Sequence, residues 1–240
     1  MNDTHTELLD IDLHGSIFKD NSGRLRLVNI GLLAVMISIG IDAIVTLLYF
    51  KFIGGELYDY ESMETYQMLY GIDSVIKALS SLFFGIAFIA WLFRAYKNLA
   101  FSNQTTTYPF WQSIYSWFIP IFNLYRPFQI IKDLKFRMER VVKKFNPEYE
   151  YGNEQEMNVW WILFVISSLL ARFIWFRQNQ SDFEVEYQAI IFMSLANIAI
   201  DFIALILLQR ILKSFKKLEI DFVRSYSQIR NFELNNSKSA

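Results

Sequence analysis

W-L-F-R-A-Y-K-N-L at residues 91–99 and Y-P-F-W-Q-S-I-Y-S-W-F-I-P-I-F-N-L-Y-R-P-F-Q-I-I-K-D at residues 108–133 decide how the rest of the chain is read. The stretch starts as the end of a long apolar segment and runs through clustered aromatics. Prolines cut it at 109, 120 and 127, and it closes in a basic amphipathic run. Residues 108–125 are apolar enough to be weighed as a membrane crossing. Pro109, Pro120 and Asn123 argue against one, because proline removes a helical donor and breaks the ladder. A crossing there would also put Arg126, Lys132, Lys135, Arg137, Arg140, Lys143 and Lys144 on the outer side. The expected form is therefore a re-entrant or interfacial segment that enters and leaves on one side. Trp111, Tyr115, Trp117 and Tyr125 suit headgroup depth.

Four apolar stretches frame this segment, at residues 27–50, 71–93, 158–176 and 189–209. Each approaches the roughly 20 residues that a helix needs to cross a hydrocarbon core. Hydrocarbon offers no partner to backbone polar groups, so the stretches are expected to be helices. The fold class is therefore an all-α integral membrane protein with four transmembrane helices. Residues 1–26 are expected to form a cytoplasmic tail, since they contain no apolar run ahead of a small-residue cleavage site. The membrane domain covers 27–232, and 233–240 are expected to be a disordered tail.

Composition agrees. The 240 residues are 53% hydrophobic and 18% aromatic, with only 20% charged. Mean hydropathy is +0.22. A net charge of −1 gives no field for nucleic acid. Cysteine is absent, which excludes disulfides and thiolate chemistry. The two histidines, His5 and His14, both fall in the N-terminal tail, so no histidine metal site or Ser–His pair is expected within the membrane domain. No metal or cofactor is expected, and no catalytic motif is present.

Orientation follows from lysine and arginine. The tail, the central connection and the C-terminal segment hold 19 of them, against 2 in the two remaining loops. Those two loops are acidic, with Glu56, Asp59, Glu61 and Glu64 in one and Asp182, Glu184 and Glu186 in the other. Both termini are thus expected on the cytoplasmic side of a bacterial inner membrane.

Residues 127–145 carry Ile131, Leu134, Met138, Val141 and Phe145 at alternating spacings of three and four among lysines and arginines. Such a basic amphipathic helix suits an anionic leaflet, and equally a packed position on its own domain. Ile211, Phe215, Leu218 and Phe222 continue the last span in the same manner. The expected partners are the bilayer, anionic lipid at the cytoplasmic face, and a second copy or another membrane protein.

Each span also carries polar residues at helical spacing. These are Ala34, Ser38, Asp42 and Thr46; Asp73, Lys77, Ser81 and Gly85; Ser168 and Arg172; and Ser194, Asn197 and Asp201. Residues four apart share a helix face. At about 1.5 Å per residue, Asp42 and Lys77 reach similar depth in neighbouring spans, and Asp73 and Arg172 are expected to pair nearer the outer face. Asp201 has no charged partner in prospect. Intramembrane charge marks a functional site by default. The competing reading, given twice the weight, is a set of fixed pairs that specify the bundle.

The two opening blocks resemble a bacterial membrane-protein family catalogued as domain of unknown function number 4328. The positions that carry the resemblance are Trp91, Arg94, Tyr96 and Asn98, then Trp117, Pro120, Asn123, Leu124, Arg126, Pro127 and Gln129. Tyr125 stands where that family often has Trp, and Asp133 where it often has Glu. The resemblance implies a multi-span membrane protein and no particular reaction. For the motif itself the expectation is that Asn98 bonds backbone freed around 120–123, with Arg94 or Arg126 serving the same turn or a lipid phosphate. The function expected is a non-catalytic regulatory, sensory or scaffolding membrane domain. The alternative is a small transporter or channel.

Overall fold

A computed structural model describes residues 19–54, 60–101, 106–178 and 187–238. His5, His14, Glu56, Asp59, Asp182, Glu184 and Glu186 lie outside these residues. The described residues are helical, with turns and irregular connections and no strand among them. Four long helices enclose the four apolar stretches: α1 (Ser22–Gly54), α2 (Tyr60–Phe101), α6 (Gln155–Gln178) and α7 (Tyr187–Lys238). Between α2 and α6 lie α3 (Gln112–Tyr115), α4 (Pro120–Asn123) and α5 (Arg126–Phe145).

The long helices overrun the apolar stretches because nothing stops them. No proline occurs in 60–101, and neither proline nor glycine in 187–238. With no breaker present, backbone hydrogen bonding continues into polar sequence. α7 therefore continues through residues 233–238 of the expected disordered tail, of which Ser239 and Ala240 lie outside the described residues.

Segment 108–125 is not a fifth spanning helix. It folds into two single turns, α3 and α4, with Pro120 opening the second. A bilayer core of about 30 Å is far longer than one turn.

The chain divides into two compact units. The first consists of residues 27–87 and 154–210 and holds most of the apolar helix length. Within it Gly31 lets α1 approach α2, where an added Cβ would lie 2.9 Å from Phe84 Cα. Tyr49 stacks on Tyr66 with ring centroids 4.3 Å apart. On the outer faces of the unit Leu33, Ile37, Ile44, Leu79, Leu82, Ile86 and Phe192 are exposed. So much contiguous apolar surface is costly in water and expected in hydrocarbon. Among the described residues four helices are long and apolar enough to cross a membrane.

The second unit consists of residues 1–26, 88–153 and 211–240. Its buried residues include Trp91, Leu92, Ala95, Tyr96 and Leu99 of α2, Ile130, Ile131, Leu134, Met138, Val141 and Val142 of α5, and Ile211, Leu212, Phe215, Leu218 and Phe222 of α7. The periodic stripes of α5 and α7 are thus covered by protein. For α5 this decides between the two destinations open to its apolar face. That face is filled by its own domain, and Lys144 and Arg140 remain outside.

Candidate functional site

The motif residues build a hydrogen-bonded centre around Asp133. Tyr96, fully buried on α2, donates its hydroxyl proton to Asp133 Oδ2 at 2.6 Å. Thr107 donates its hydroxyl to Oδ1 at 2.6 Å and its backbone N–H to Oδ2 at 3.2 Å. Arg137, one turn along α5, donates Nε to Oδ1 at 2.7 Å and reaches Thr107 Oγ1 with Nη2 at 2.8 Å. The Tyr96 oxygen in turn accepts the backbone N–H of Tyr108 at 3.2 Å. One carboxylate therefore ties α2, the 106–108 connection and α5 together. Burial pushes the Asp133 carboxyl up, but the bonds from Thr107, Tyr96 and Arg137 outweigh it and hold the group below the usual aspartate range.

Aromatic packing holds the rest of the motif. Trp91 packs edge-on to Phe215 at 5.4 Å. Phe88 meets Trp91 at 5.6 Å and Trp117 at 5.7 Å. The Trp117 indole donates to the Ser113 carbonyl at 3.1 Å. Arg126 lies over the rings of Tyr108, Phe122 and Tyr125 and donates to Gln129 Oε1 at 3.2 Å. Pro127 occupies the first turn of α5, where its missing N–H costs nothing.

Asn98 does not bond the broken turn at 120–123. It clasps the backbone of Lys19, donating Nδ2 to the carbonyl at 2.9 Å and accepting the N–H at 3.4 Å. The turn meets its own needs locally, since Asn123 N–H donates to the Ile119 carbonyl at 2.8 Å. One face of α2 thus holds the N-terminal segment, because Asn21 Nδ2 also donates to the Trp91 carbonyl at 3.3 Å. The same amide donates to Glu219 Oε1 at 2.9 Å. The Trp91 indole N–H faces that carboxylate but falls outside hydrogen-bond geometry.

In the first unit the intramembrane charges form two groups. Lys77 pairs with Asp42, as their depths require. Ser80 Oγ donates to Ser38 Oγ at 3.1 Å beside them. Asp201 is bonded by the Ser167 hydroxyl and, at 3.1 Å, by Asn197 Nδ2. The serines that serve the site are thus Ser80 and Ser167, each one position from the expected Ser81 and Ser168. Ser168 instead bonds the Phe164 carbonyl of its own helix at 2.7 Å. Charge periodicity fixed the face only to within about 100° per residue, so the neighbouring serine was the one turned inward.

Asp73 and Arg172 do not pair. Asp73 is only 2% exposed and interacts electrostatically with Asp42 and Lys77 rather than with Arg172. Arg172 is exposed, off the stripe of Trp160, Ser167 and Ile174 that α6 buries. Among the described residues no group of three or more His, Asp or Glu side chains is placed to hold a metal ion.

The model of the family described as Domain of unknown function (DUF4328) matches residues 55–219. The chain belongs to that family. The match covers both motif blocks and reaches from the start of α2 into α7. No curated protein and no solved structure matches the chain.

Proposed function

We propose that this DUF4328 chain is a non-catalytic regulatory, sensory or scaffolding domain of a bacterial inner membrane, with both termini cytoplasmic. The observation that carries this reading is how the polar groups are used. The Asp133 carboxylate takes four hydrogen bonds from its own chain. Asp42 holds Lys77, and Asp201 holds Ser167 and Asn197. A charge spent on a fixed partner specifies a bundle more readily than it relays an ion. The excess of lysine and arginine on one set of connections supports the orientation. Segment 108–125 belongs at the membrane interface, since Trp111, Phe118, Ile121 and Leu124 are exposed apolar groups in and around two single-turn helices.

A second reading, a small cation- or proton-coupled transporter, draws on one observation. Asp73 is buried next to Asp42, and its Oδ1 has no hydrogen-bond partner. Both readings meet in one experiment, which the cysteine-free sequence makes simple. Single cysteines replace Ser38, Thr46, Ser81, Asn197 and positions within 111–125, and are labelled from either side of the membrane. Regulation and scaffolding require a dry interior at Ser38 and Asn197. Labelling that continues across the membrane would establish the transport reading instead. Labelling of cysteines in 137–144 from the outer side would reverse the orientation.

A further inference from the structure

Arg94 is the one motif residue whose charge the chain does not use. It lies on α2 between Trp91 and Asn98, on the face to which both of those residues pin the N-terminal segment. It is half-buried, and its Nε is shielded from solvent without an acceptor. The charge that bears on it is a like charge, Arg24, in the first turn of α1. Among the described residues neither guanidinium bonds a carboxylate. Glu219, whose carboxylate reaches the same face of α2 through Asn21, is engaged with that amide. Two like charges that act on each other, one of them with a buried Nε that has no acceptor, are costly unless an anion lies between them.

Position narrows the anion. Arg24 is two residues inside the start of one membrane-length helix, and Arg94 six residues before the end of the antiparallel next one. The apolar stretch of α1 begins at Leu27, one turn beyond Arg24. The pair therefore stands where hydrocarbon gives way to headgroups. Guanidinium forks match the oxygens of a phosphate in bidentate fashion.

We propose that Arg24 and Arg94 form a binding site for a single phosphate group, carried by a phospholipid or free in solution. The site needs the chain to sit in a bilayer and does not depend on which side its termini face or on whether the interior conducts. Arg126 is not part of it, because its guanidinium is already stacked on three rings.

The test uses the full chain, delipidated in detergent, and counts retained molecules by native mass spectrometry. Phosphatidylglycerol is compared with diacylglycerol, which has the same tails and no phosphate. One phosphatidylglycerol should be retained and no diacylglycerol. Arg94→Gln and Arg24→Gln should each weaken retention about tenfold or more, as loss of a charge-assisted contact implies. Arg94→Lys, which keeps the charge and loses the fork, should fall between. Lys144→Gln, a change at an exposed lysine of α5, should have no effect. Inorganic phosphate in large excess separates the sources. Displacement of the lipid by phosphate identifies a site for free phosphate, and resistance identifies a lipid site. Equal retention of phosphatidylglycerol and diacylglycerol, or retention unchanged by Arg94→Gln and Arg24→Gln, would overturn the proposal. Circular dichroism and elution profile establish that each variant is folded. Should Arg94→Gln fail there, Arg24→Gln and the two-lipid comparison on the unaltered chain still decide.

Discussion

The Tyr96 hydroxyl and the Asp133 carboxylate, 37 residues apart, meet at 2.6 Å in the interior of the motif unit. Around that bond the connection after α2 and the start of α5 are fixed. Tyr96→Phe removes one hydrogen bond to a charged acceptor and should cost about 1.5–3 kcal/mol. Asp133→Ala should cost more, because it leaves Tyr96, Thr107 and Arg137 without their shared acceptor. Thermal unfolding in detergent measures both. Equal losses for Asp133→Ala and Tyr96→Phe would mean that Thr107 and Arg137 contribute nothing.

Acid should act through the same residue. The folded-state pKa of Asp133 lies below its unfolded value, with burial opposed and outweighed by the bonds from Thr107, Tyr96 and Arg137. Its stabilisation is therefore complete above the unfolded value of about 3.9. It is lost as pH falls through the depressed folded value. Asp133→Asn should be less stable than the unaltered chain at pH 7, and the gap should narrow below about pH 4. At the alkaline end, burial and then the charges of Glu139 and Asp221 push the Tyr149 phenol up to about 12. A raised phenol contributes stability below its unfolded value of about 10, lost as pH rises toward 12. Tyr149→Phe should remove that loss. Unfolding midpoints across pH, compared between each variant and the unaltered chain, test both signs.

The helix contact at Gly31 gives an internally controlled test. Its Cβ would meet Phe84 Cα at 2.9 Å and the Phe83 ring at 3.2 Å. A backbone atom cannot rotate away, so Gly31→Ala should force α1 from α2 and cost about 1–3 kcal/mol. Gly40 lies on the same helix with nothing within 4 Å of its added Cβ. Gly40→Ala should be neutral or stabilising by up to about 1 kcal/mol through helix propensity. Melting temperatures of the two variants should therefore move in opposite directions or separate clearly.

Much of this arrangement was legible in the residues, and what was not has physical causes. The four helices could be placed because apolar length is dictated by the bilayer. Asp42 and Lys77 could be matched because depth in a span is simple arithmetic from helical rise. The Asp133 centre could not be foreseen. Its partners Tyr96 and Thr107 lie 37 and 26 residues away, and neither carries a charge to announce the pairing. The signal that could have pointed to it was the Asp133–Arg137 spacing of four, next to a motif tyrosine. That Asn98 clamps backbone is legible from its place in the motif, but which backbone is not, because Lys19 is 79 residues away. The stripe of α5 is identical whether lipid or protein covers it, so only the fold could decide. Arg172 faces outward, which depth does not reveal because it says nothing of which way a helix is turned.

The pair Asp42 and Lys77 offers a direct test of mutual support between two charges. Side-chain exposure is 13% for Asp42 and 43% for Lys77. Removing either partner leaves the other charge uncompensated in a low-dielectric setting. Lys77→Met and Asp42→Asn should therefore each destabilise the chain, and the double variant should recover part of the loss. A coupling of about 1–3 kcal/mol in the double-mutant cycle is expected, below the range for a fully buried pair because Lys77 is partly exposed. Additive losses would mean that the two charges do not support each other.

The grip of Asn98 on Lys19 should be visible as local opening rather than global unfolding. The two backbone bonds are exposed, so each contributes about 0.5–1.5 kcal/mol. Losing both in Asn98→Ala should raise the open population of the segment before α1 roughly tenfold. Asn21 still holds the Trp91 carbonyl, so α1 itself should stay docked. Trypsin cleaves after lysine and needs an extended, released backbone. Cleavage after Lys19 should therefore accelerate about tenfold in Asn98→Ala, in proportion to that open population, while the melting temperature hardly moves. Asn21→Ala should behave differently, because it frees the Trp91 carbonyl and leaves Glu219 without its amide donor in the interior. That variant should lower the melting temperature as well. If Asn98→Ala instead lowered the melting temperature as much as Asn21→Ala without faster cleavage after Lys19, its clasp would be part of the global fold and not a local latch.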